Sequence, residues 1–362
     1  MEVQLSLQKN RVYLVTNKSK FGGVDKFVNL FSQMFNEQFE IVRIAVDNPF
    51  RRLAIFKPLA RLFPEKIKSE LLRIYLSFKT SRNSAPAKSG MHREGDRYLF
   101  THPRQLNQMD VPKSAKRLVM YHDSASNFMD SGVLAEFKNN LRKSDTLVLL
   151  SLEDVEQIKS KIPVEVVCIE NPTDRDFLGS PNLAKFAREQ RKFLMLTRFV
   201  SQKRVLTAVG AWRASRAEEL GYVLEIYGEG WMKPIVKLAI LIRRIKGIRI
   251  LPFTSDPSFA MGKCSFLLNS SIHEGLPFSY LEALVQGVPI VATPSGPGAD
   301  KIVQSQSGLL ASANTSTALA EKIVGALNLE DDEYIDLLDK SSNLLQTYSM
   351  DRIAQKWLQL LE

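Results

Sequence analysis

The stretch FLLNSSIHEGLPFSYLEALVQGVPIVAT, residues 266–293, determines how the second half of this chain folds. Its first four residues, three apolar side chains followed by Asn269, predict a buried strand. Pro277 has the fixed φ that suits a first helical turn, and Gly287 stands where a glycine usually ends a helix. We therefore predict a helix of about ten residues, followed by a second apolar strand over 288–292. Strand, helix and strand in this order predict a parallel sheet.

The start of this helix also predicts a binding site. The N–H groups around Phe278 and Ser279 would point away from the helix toward a ligand, and a diphosphate suits such a helix start. Glu274 stands just before the helix, and Glu282 lies eight residues further on. At about 100° per residue, the two carboxylates are offset along the axis but do not lie on opposite faces. One of them can address one part of a ligand while the other reaches a second part of the same ligand.

The rest of the chain repeats the alternation of strand and helix. Short apolar or β-branched runs predict strands at residues 12–16, 41–45, 117–122, 146–150, 164–169, 193–196, 223–227, 248–252, 265–269 and 288–292. Amphipathic stretches between them predict helices, among them 24–36, 135–142, 204–219 and 319–327. Regular alternation of this kind favours parallel sheets that are covered on both faces, in an α/β fold.

Turn-forming residues place a domain boundary near residues 171–190, where Asn-Pro-Thr-Asp is followed by Gly-Ser-Pro-Asn. We predict an N-terminal Rossmann-like domain over 1–178 and a second Rossmann-like domain over 179–340. A C-terminal helix, 341–362, is expected to return to the N-terminal domain. Two such domains facing each other would place a cleft between the carboxyl ends of their strands, where ligands of open α/β sheets bind.

Composition is that of a globular protein, with 44% hydrophobic and 24% charged residues among 362. Two cysteines, Cys168 and Cys264, lie in apolar runs and predict free thiols in a reducing compartment. The sequence starts without the pattern of a signal peptide, and no apolar run approaches the length of a bilayer span. We therefore expect a cytoplasmic protein.

Most of the net charge of +10 comes from one region, because residues 51–93 contain 11 Lys/Arg and 2 Asp/Glu. Apolar residues three and four apart alternate with the basic ones over 51–78, as on a basic amphipathic helix. Such a helix can lie on an anionic membrane surface, which would make the protein peripheral to the inner face of the cell membrane. A solvated helix packed on its own domain, or one that guides an acidic substrate, is an equal alternative. Nucleic-acid binding is disfavoured, because the basic residues are accompanied by bulky aliphatics and no nucleic-acid-reading motif.

The Glu274 segment resembles the retaining glycosyltransferases of family 4, which have the GT-B fold. Their signature is S-x-x-E-G-x-P-x-x-x-x-E-A-x-x-x-G-x-P-V-V-A-T, and residues 271–293 read SIHEGLPFSYLEALVQGVPIVAT. The resemblance implies that Glu274 orients the donor sugar and that Glu282 holds the ribose. It also implies a donor site lined by the residues that follow Glu274, namely Gly275, Leu276, Pro277, Phe278 and Ser279.

Other segments are similar to the same family in the same order. Residues 196–203, LTRFVSQK, resemble the G-R-L-x-x-x-K segment, in which Arg198 and Lys203 would hold the donor phosphates. Thr197 replaces the usual glycine there. Residues 226–230, IYGEG, match a glycine loop through Gly228, and residues 295–302, SGPGADKI, resemble the S-G-P-x-E-I segment with Asp300 in place of glutamate. The role of Asp300 is left open by this substitution.

The N-terminal half matches the family more sparsely. Gly22 and Gly23 follow the first predicted strand, where glycines let backbone N–H groups approach a donor phosphate or an acceptor. His122 ends a predicted central strand, a position where the family has a histidine that touches the donor sugar. Residues 170–174, ENPTD, resemble the family's domain boundary, whereas the stretch 50–116 matches nothing recognisable.

Each of these residues also has a structural interpretation. Glu274 could only cap a helix, Glu282 could be a solvated helix residue, and Arg198 with Lys203 could form an ordinary surface pair. His122 could make a structural hydrogen bond, and Gly22 with Gly23 could form only a turn. His92, His102 and His273 show no metal-ligand pattern, and no Asp-x-Asp motif indicates a divalent ion. We therefore expect no metal or other cofactor besides the nucleotide-sugar substrate.

The resemblance implies an enzyme that moves a sugar from a nucleotide sugar, most plausibly a UDP-sugar, to a glycan or lipid-linked saccharide in cell-surface polysaccharide synthesis. Retention at the anomeric carbon is inherited from the family. The resemblance also implies that 1–178 is the acceptor-side domain and that 179–340 binds the nucleotide sugar. Two alternatives remain open at the level of sequence. One is a catalytically inactive GT-B binding or scaffold subunit of a polysaccharide-assembly complex, and the other is another GT-B enzyme such as a sugar-nucleotide epimerase.

Overall fold

The computed structural model of this chain describes residues 9–17, 22–46, 92–173, 175–180 and 186–362. The predicted amphipathic segment 51–78 therefore lies outside the described residues, as does Asp174. Two compact units divide the chain. The first comprises Met1–Tyr121, Ser131–Val148 and Lys161–Val167, and the second comprises His122–Asp130, Leu149–Ser160 and Cys168–Glu362. Two short segments of the N-terminal half thus belong to the second unit, and the predicted boundaries at residues 178 and 340 stay predictions.

The first sheet has six strands in the order β2-β1-β3-β4-β5-β6. Their bounds are β1 Arg11–Asn17, β2 Glu40–Val46, β3 Arg97–Phe100, β4 Lys116–Met120, β5 Thr146–Leu149 and β6 Glu165–Cys168. The strand pairs from β2 to β5 are parallel. Because β2 and β3 lie on opposite sides of β1, the strand order reverses there. This reversal is the topological switch point of the first sheet, the place where open α/β sheets bind ligands.

The described part of this half contains four α-helices: α1 Gly23–Phe35, α2 Ala125–Asp130, α3 Val133–Asn140 and α4 Leu152–Lys159. Helix α1 buries Phe27, Phe31 and Phe35, which recur every four residues on one face. Strand β4 is apolar from Leu118 onward and buried there on both faces, as is typical of a parallel sheet.

The second sheet also has six strands, in the order β12-β11-β10-β7-β8-β9. Their bounds are β7 Lys192–Leu196, β8 Val223–Tyr227, β9 Ile248–Leu251, β10 Phe266–Asn269, β11 Ile290–Ala292 and β12 Gly308–Leu310. Every one of these pairings is parallel. The chain runs outward from β7 to β9 and then returns to place β10 on the other side of β7. The switch point of this sheet therefore lies between β7 and β10.

The second half carries the helices α5 Val205–Ser215, α6 Lys233–Ile242, α7 Pro257–Met261, α8 Phe278–Gln286, α9 Pro297–Ile302, α10 Ser316–Leu327, α11 Asp331–Leu345 and α12 Met350–Leu361. The core of this unit centres on Phe193 and Phe266, which stack, and on Trp212 and Tyr334, which meet these two rings edge-on. Helix α11 is thereby attached to the sheet, and the Tyr334 hydroxyl donates to the Ser265 carbonyl oxygen at 2.7 Å. No helix among the described residues has the length and apolarity to span a membrane.

The predicted α/β fold with two Rossmann-like domains is confirmed by these two parallel sheets. All ten predicted strands are present, and two further strands, β3 and β12, were not predicted. The prediction for Pro277 was wrong in detail. Its ψ of 133° is extended, so it is the residue before helix α8, which begins at Phe278. Gly287 has φ 65° and ends the helix as predicted.

Candidate functional site

Two loops flank the switch point of the second sheet. The loop after β7 runs from Thr197 to Lys203, and the loop after β10 runs from Ser270 to Pro277. Both leave the carboxyl edge of the sheet, because the two strands are parallel neighbours. Ligands of open α/β sheets bind at such an edge, so the side chains of these two loops define the candidate site.

Lys203 and Glu274 form an ion pair across this switch point, between Lys203 Nζ and Glu274 Oε1. The side chains are 17% and 11% exposed, so both charges are largely removed from water. The lysine backbone is fixed from the neighbouring loop, because Ser270 Oγ donates to the Lys203 carbonyl oxygen at 2.9 Å. A buried ion pair adds little net stability, since desolvation offsets the attraction. We therefore explain this pair by a ligand that both charges contact rather than by a contribution to the free energy of folding.

Asp300 holds the loop that carries Glu274. Its Oδ1 atom accepts from the backbone N–H of Ser295 at 2.8 Å and from that of Gly296 at 3.4 Å. The Ser295 carbonyl oxygen in turn accepts from the Glu274 N–H at 2.8 Å. A Cβ on Gly296 would overlap the Glu274 carbonyl oxygen, so only glycine permits this approach. Asp300, whose role the sequence left open, thus positions Glu274 through the backbone.

Asp123 and Gln202 complete the same cluster. Gln202 Nε2 donates to Asp123 Oδ2 and to the His273 carbonyl oxygen, both at 2.9 Å. Asn127 Nδ2 donates to the same carboxylate oxygen at 2.7 Å, and the Ser124 N–H donates to Oδ1 at 2.8 Å. Gln202 therefore ties the carboxylate of Asp123 to the loop that carries Glu274.

Burial raises the pKa of Asp123 above its ordinary value, and the nearby negative charge of Glu274 raises it further. The Ser124 N–H and the positive charges of Lys203 and His273 act in the opposite direction. Asp123, Lys203 and Glu274 therefore form one electrostatic cluster of two acids and one base. A ligand that brings negative phosphate charge to Lys203 would change the protonation of this cluster.

Gly228 supports the other side of the switch point. It has φ 145°, and a Cβ there would overlap the Thr197 carbonyl oxygen, so the loop after β8 rests directly on the loop after β7. The Thr197 N–H donates to the Tyr227 carbonyl oxygen at 3.0 Å, which fixes the same contact. Thr197 itself is not among the non-glycine residues with positive φ. Threonine therefore fits where the family has glycine.

Arg198 is exposed near the start of the loop after β7, and no hydrogen bond or ion pair engages its guanidinium within the described parts of the chain. Arginine binds phosphate oxygens in a bidentate manner and retains its charge at any physiological pH. Arg198 is therefore available to a ligand, whereas Lys203 is held by Glu274 until a ligand competes for it.

The start of helix α8 lies directly after Glu274. A Cβ on Gly275 would clash with Leu150 and approach the Asp123 carbonyl oxygen, which explains the glycine. The Leu276 carbonyl oxygen accepts from Asn171 Nδ2 at 2.7 Å. Pro277 offers no side-chain cap to the helix, Phe278 is buried and Ser279 is half-buried. The helix thus begins without an acidic or hydroxyl cap at its positive end, as expected of a helix start that receives an anion.

The structure brings together only part of the predicted site. Lys203, Glu274, Gly275 and Gly228 lie at the second switch point or pack against its loops, whereas Glu282 is half-buried further along α8. His122 directly precedes Asp123 but lies two residues after β4 ends, and its catalytic role stays a prediction.

Gly22 and Gly23 belong to the first unit, where Gly22 has φ 155° and precedes helix α1. Their donor-binding role also stays a prediction.

Sequence reasoning missed Asp123, Gln202, Asn171 and Asn314. The last of these donates to the Ser271 carbonyl oxygen at 2.7 Å and holds the β10 loop from the far side. Asp123, Gln202 and Asn171 lie in or next to segments that resemble the family, but amides carry no distinctive spacing, and Asn314 lies outside all of these segments. Only Asp123, next to the predicted His122, offered a signal.

No group of three or more His, Cys, Asp or Glu side chains within the described residues could hold a metal ion. Cys264 is buried and Cys168 partly buried, and both are free thiols. Burial and nearby negative charge raise the pKa of Cys168 to about 12, so it is not a reactive thiolate at neutral pH. The expectation that the reaction needs no metal or cofactor stays a prediction.

Comparison with known proteins shows which family, relatives and solved structures this chain is similar to. Residues 190–328 match the family described as glycosyl transferases group 1. An uncharacterized glycosyltransferase of Haemophilus influenzae is 27% identical over 201 residues, which cover 54% of this chain and 55% of that protein. A poly(ribitol-phosphate) alpha-N-acetylglucosaminyltransferase of Staphylococcus aureus is 23% identical over 68% of this chain and 51% of that protein. The chain spans about half the length of these curated relatives.

Among solved structures, the Anabaena protein HepE in complex with UDP and glucose matches with a TM-score of 0.68. The two are 15% identical, and the match covers 97% of this chain and 98% of HepE. At that identity the likeness concerns the fold alone. It agrees with the two parallel sheets described above and extends over nearly the whole chain.

Proposed function

We propose that this chain, whose residues 190–328 match the group 1 glycosyl transferases, transfers a glycosyl group from a nucleotide sugar with retention at the anomeric carbon. The donor is a UDP-sugar and the acceptor is a glycan or a lipid-linked saccharide of a cell-surface polysaccharide. One observation carries the proposal, namely the Lys203–Glu274 ion pair at the switch point of the second sheet. Lys203 supplies a positive charge for a diphosphate, and Glu274, in contact with this lysine, supplies a negative charge for a sugar.

The phosphate side of the reaction needs positive charge. When the bond from the anomeric carbon to the β-phosphate oxygen breaks, negative charge develops on the departing UDP. Lys203, Arg198 and the N-terminus of helix α8 stabilise that charge, and their effect is strongest in a site from which water is excluded. Lys203 leaves Glu274 for the phosphate as the donor binds, so a buried pair is exchanged for a charge-assisted contact with substrate.

The sugar side needs negative charge and orientation. Positive charge of oxocarbenium type develops on the sugar ring, and Glu274 is proposed to face that ring and stabilise it. Asp300 fixes the backbone of Glu274 through Ser295, and Gln202 fixes the neighbouring His273 carbonyl. The acceptor hydroxyl forms the new bond to the anomeric carbon, and its proton passes to the departing phosphate. Glu282 is proposed to hold the ribose.

The direct test is to incubate the purified chain with UDP- and GDP-sugars, together with lipid-linked saccharide acceptors, and to measure released nucleotide. We expect release from a UDP-sugar. Glu274→Gln keeps the size of the side chain but removes its charge, and it should lower turnover by about 10² to 10³-fold, the range for losing one transition-state electrostatic contact.

The matched control is Glu219→Gln. Glu219 also pairs with a basic residue of the second unit, Arg216 at 2.8 Å, but both side chains are more than half exposed. Surface pairs contribute little, so this variant should keep wild-type turnover. Equal activity of Glu274→Gln and wild type would contradict the proposed site. Binding of UDP-sugars without release of nucleotide under any acceptor would favour an inactive binding subunit instead.

A further inference from the structure

Helix α6 of the second unit presents an apolar face to solvent. Its exposed side chains include Ile235, Leu238, Leu241 and Ile242, and Trp231 precedes them in the turn before the helix. Leu241 is 74% exposed and Ile242 is 69% exposed. We call these five residues the α6 face. Single exposed apolar residues are ordinary on protein surfaces, but a contiguous group marks an interaction surface.

The spacing shows that this face is separate from the face that attaches the helix to its domain. Trp231, Ile235, Leu238 and Ile242 follow one another at intervals of four, three and four residues, which places them on one side of a helix. The opposite side carries Val236, which is fully buried in the core of the second unit, and Ile240, which packs against that core. The helix therefore uses a narrow stripe for folding and leaves a wider apolar stripe outside.

Positive charge surrounds the α6 face. Residues 230–255 contain six Lys/Arg and no Asp or Glu. Lys233 donates to Glu229 at 2.7 Å, and Arg249 lies 3.5 Å from Glu225. The other four are exposed, and none is ion-paired to any residue that the structure describes: Lys237, Arg243, Arg244 and Lys246. An apolar stripe edged with uncompensated cations is the pattern of a helix that lies on an anionic bilayer.

At the end of the helix, one of these cations adopts a backbone conformation that non-glycine residues rarely adopt. The Ile245 N–H donates to the Ile240 carbonyl oxygen and the Arg244 N–H to that of Leu241, both within 3.1 Å. This pair of bonds places residue 244 in the left-handed region, with φ 50°, where helices usually end on glycine. Arg244 thus occupies a position that usually favours glycine, as Arg191, Arg204 and Arg216 also do in this chain.

We infer that the α6 face is a membrane-docking surface that takes an anionic lipid bilayer, with the apolar side chains inserted below the headgroups and the cations at the phosphate level. A second copy of the chain fits less well. Two α6 faces placed together would bring eight unpaired cations into one interface, and like charges across an interface oppose association. The inference does not depend on the proposed function, because docking requires neither donor nor acceptor.

Vesicle sedimentation tests the inference directly. The full chain is mixed at low salt with vesicles of phosphatidylglycerol and phosphatidylcholine, and with vesicles of phosphatidylcholine alone. Wild type should bind the anionic vesicles and lose binding as salt is raised. The double variant Leu241→Gln with Ile242→Gln should bind at least about tenfold more weakly, because two inserted side chains lose their burial.

Arg244→Gly removes one positive charge without weakening the fold. This variant should bind about fivefold more weakly, the effect of one cation near an anionic surface, while its thermal unfolding temperature does not fall. Leu220→Gln is the matched control, because Leu220 is as exposed as Leu238 at 55% but follows two glutamates. It should bind like wild type.

Three results would overturn the inference. The first is equal vesicle binding by wild type and the Leu241→Gln, Ile242→Gln variant, which would place any docking elsewhere, for example in residues 51–78. The second is a wild-type dimer in light scattering that this variant converts to a monomer, which would make the α6 face a contact between copies. Failure of wild type to bind anionic vesicles at low salt would overturn it as well.

Discussion

The two sheets of this protein each have a switch point, but the loops at the two points carry different chemistry. At the second sheet, Lys203 and Glu274 bring opposite charges together within backbone contacts that only glycine permits at 228 and 296. At the described part of the first sheet's edge, Gly22 precedes helix α1 with the Asp25 carboxylate 4.0 Å from where a Cβ would stand, and burial lowers the pKa of His102 to about 4. Among the described residues, the second edge thus holds a largely buried ion pair, whereas the first holds a neutral imidazole.

This difference follows from what each edge has to bind under the proposed function. A nucleotide diphosphate requires fixed positive charge and a precise backbone, because charge develops on it as the bond breaks. A glycan acceptor is recognised mainly through neutral hydroxyl groups, which need no buried charge. The contrast also explains why the second half resembles a family closely while the first half matches sparsely.

The largest expected difference between the two edges concerns their glycines. Gly228→Ala introduces a Cβ that overlaps a backbone oxygen at φ 145°, and we expect it to lower the free energy of unfolding by about 3 kcal/mol or more. Gly22→Ala has a similar φ, but its Cβ would lie 4.0 Å from the Asp25 carboxylate as its nearest neighbour. Backbone strain alone should then cost about 1–2 kcal/mol.

Urea unfolding of the two variants beside wild type measures this comparison. UDP affinity provides a second readout: Gly228→Ala should lower it, and a loss in Gly22→Ala as well would support the predicted donor-binding role of Gly22. Equal losses of stability in both variants would show that the two edges are packed alike, and the comparison would fail.

Acid should weaken the first unit through His102. Burial, assisted by the charge of Arg104, lowers the pKa of His102 to about 4 from 6.5. The neutral imidazole is favoured in the folded chain, so its contribution is complete above pH 6.5 and is lost as pH falls from 6.5 to about 4. At 1.36 kcal/mol per pKa unit the loss reaches up to about 3 kcal/mol.

His102→Asn is the matched variant. His102 Nδ1 accepts from the Arg104 N–H at 3.1 Å as a helix cap, and asparagine supplies an equivalent acceptor that does not titrate. We expect equal stability of variant and wild type at pH 7 and a more stable variant at pH 4, with hydrogen exchange locating the difference in the first unit. Parallel pH profiles of the two proteins would refute this role.

A smaller effect is expected at Asp123, which belongs to the charged cluster at the switch point of the second sheet. Asp123→Asn would turn an amide N–H₂ toward the amides of Asn127 and Gln202, and we expect turnover to fall about tenfold, equivalent to about 1.4 kcal/mol, with UDP affinity unchanged. Because the pKa of Asp123 is raised, its carboxylate is protonated earlier than an ordinary aspartate as pH falls.

The acid limb of the wild-type pH–rate profile should therefore be weaker or absent in Asp123→Asn. Asn127→Ala, which removes only one of the two side-chain donors, should have a milder effect and keep the limb. An unchanged profile in Asp123→Asn would exclude the residue from the cluster.

Much of the fold was predictable because its signals are local. Apolar runs bounded by turn residues located ten strands, and Gly287 located the end of α8. Strand β3 was missed although β5, of the same length, was found, and its place beside β1 comes from pairing across more than eighty residues, which no local pattern shows.

The charged residues of the site were predictable from the sequence, but the contacts that hold them in place were not. The motif pointed to Lys203 and Glu274 separately, and only the structure shows that they pair. Asp123 reaches Gln202 across 79 positions of the chain. Such a contact depends on tertiary packing and leaves no spacing to recognise.

The measurement that tests the central claim most directly is UDP affinity, by calorimetry, in wild type, Lys203→Met and Glu274→Gln, together with their turnover. The account assigns the phosphate to Lys203 and the sugar to Glu274. It therefore predicts that Lys203→Met binds UDP about tenfold or more weakly. Glu274→Gln should bind UDP at least as tightly as wild type, because the lysine is released, while its turnover falls by about 10² or more. Equal loss of UDP affinity in both variants, or none in either, would contradict the account.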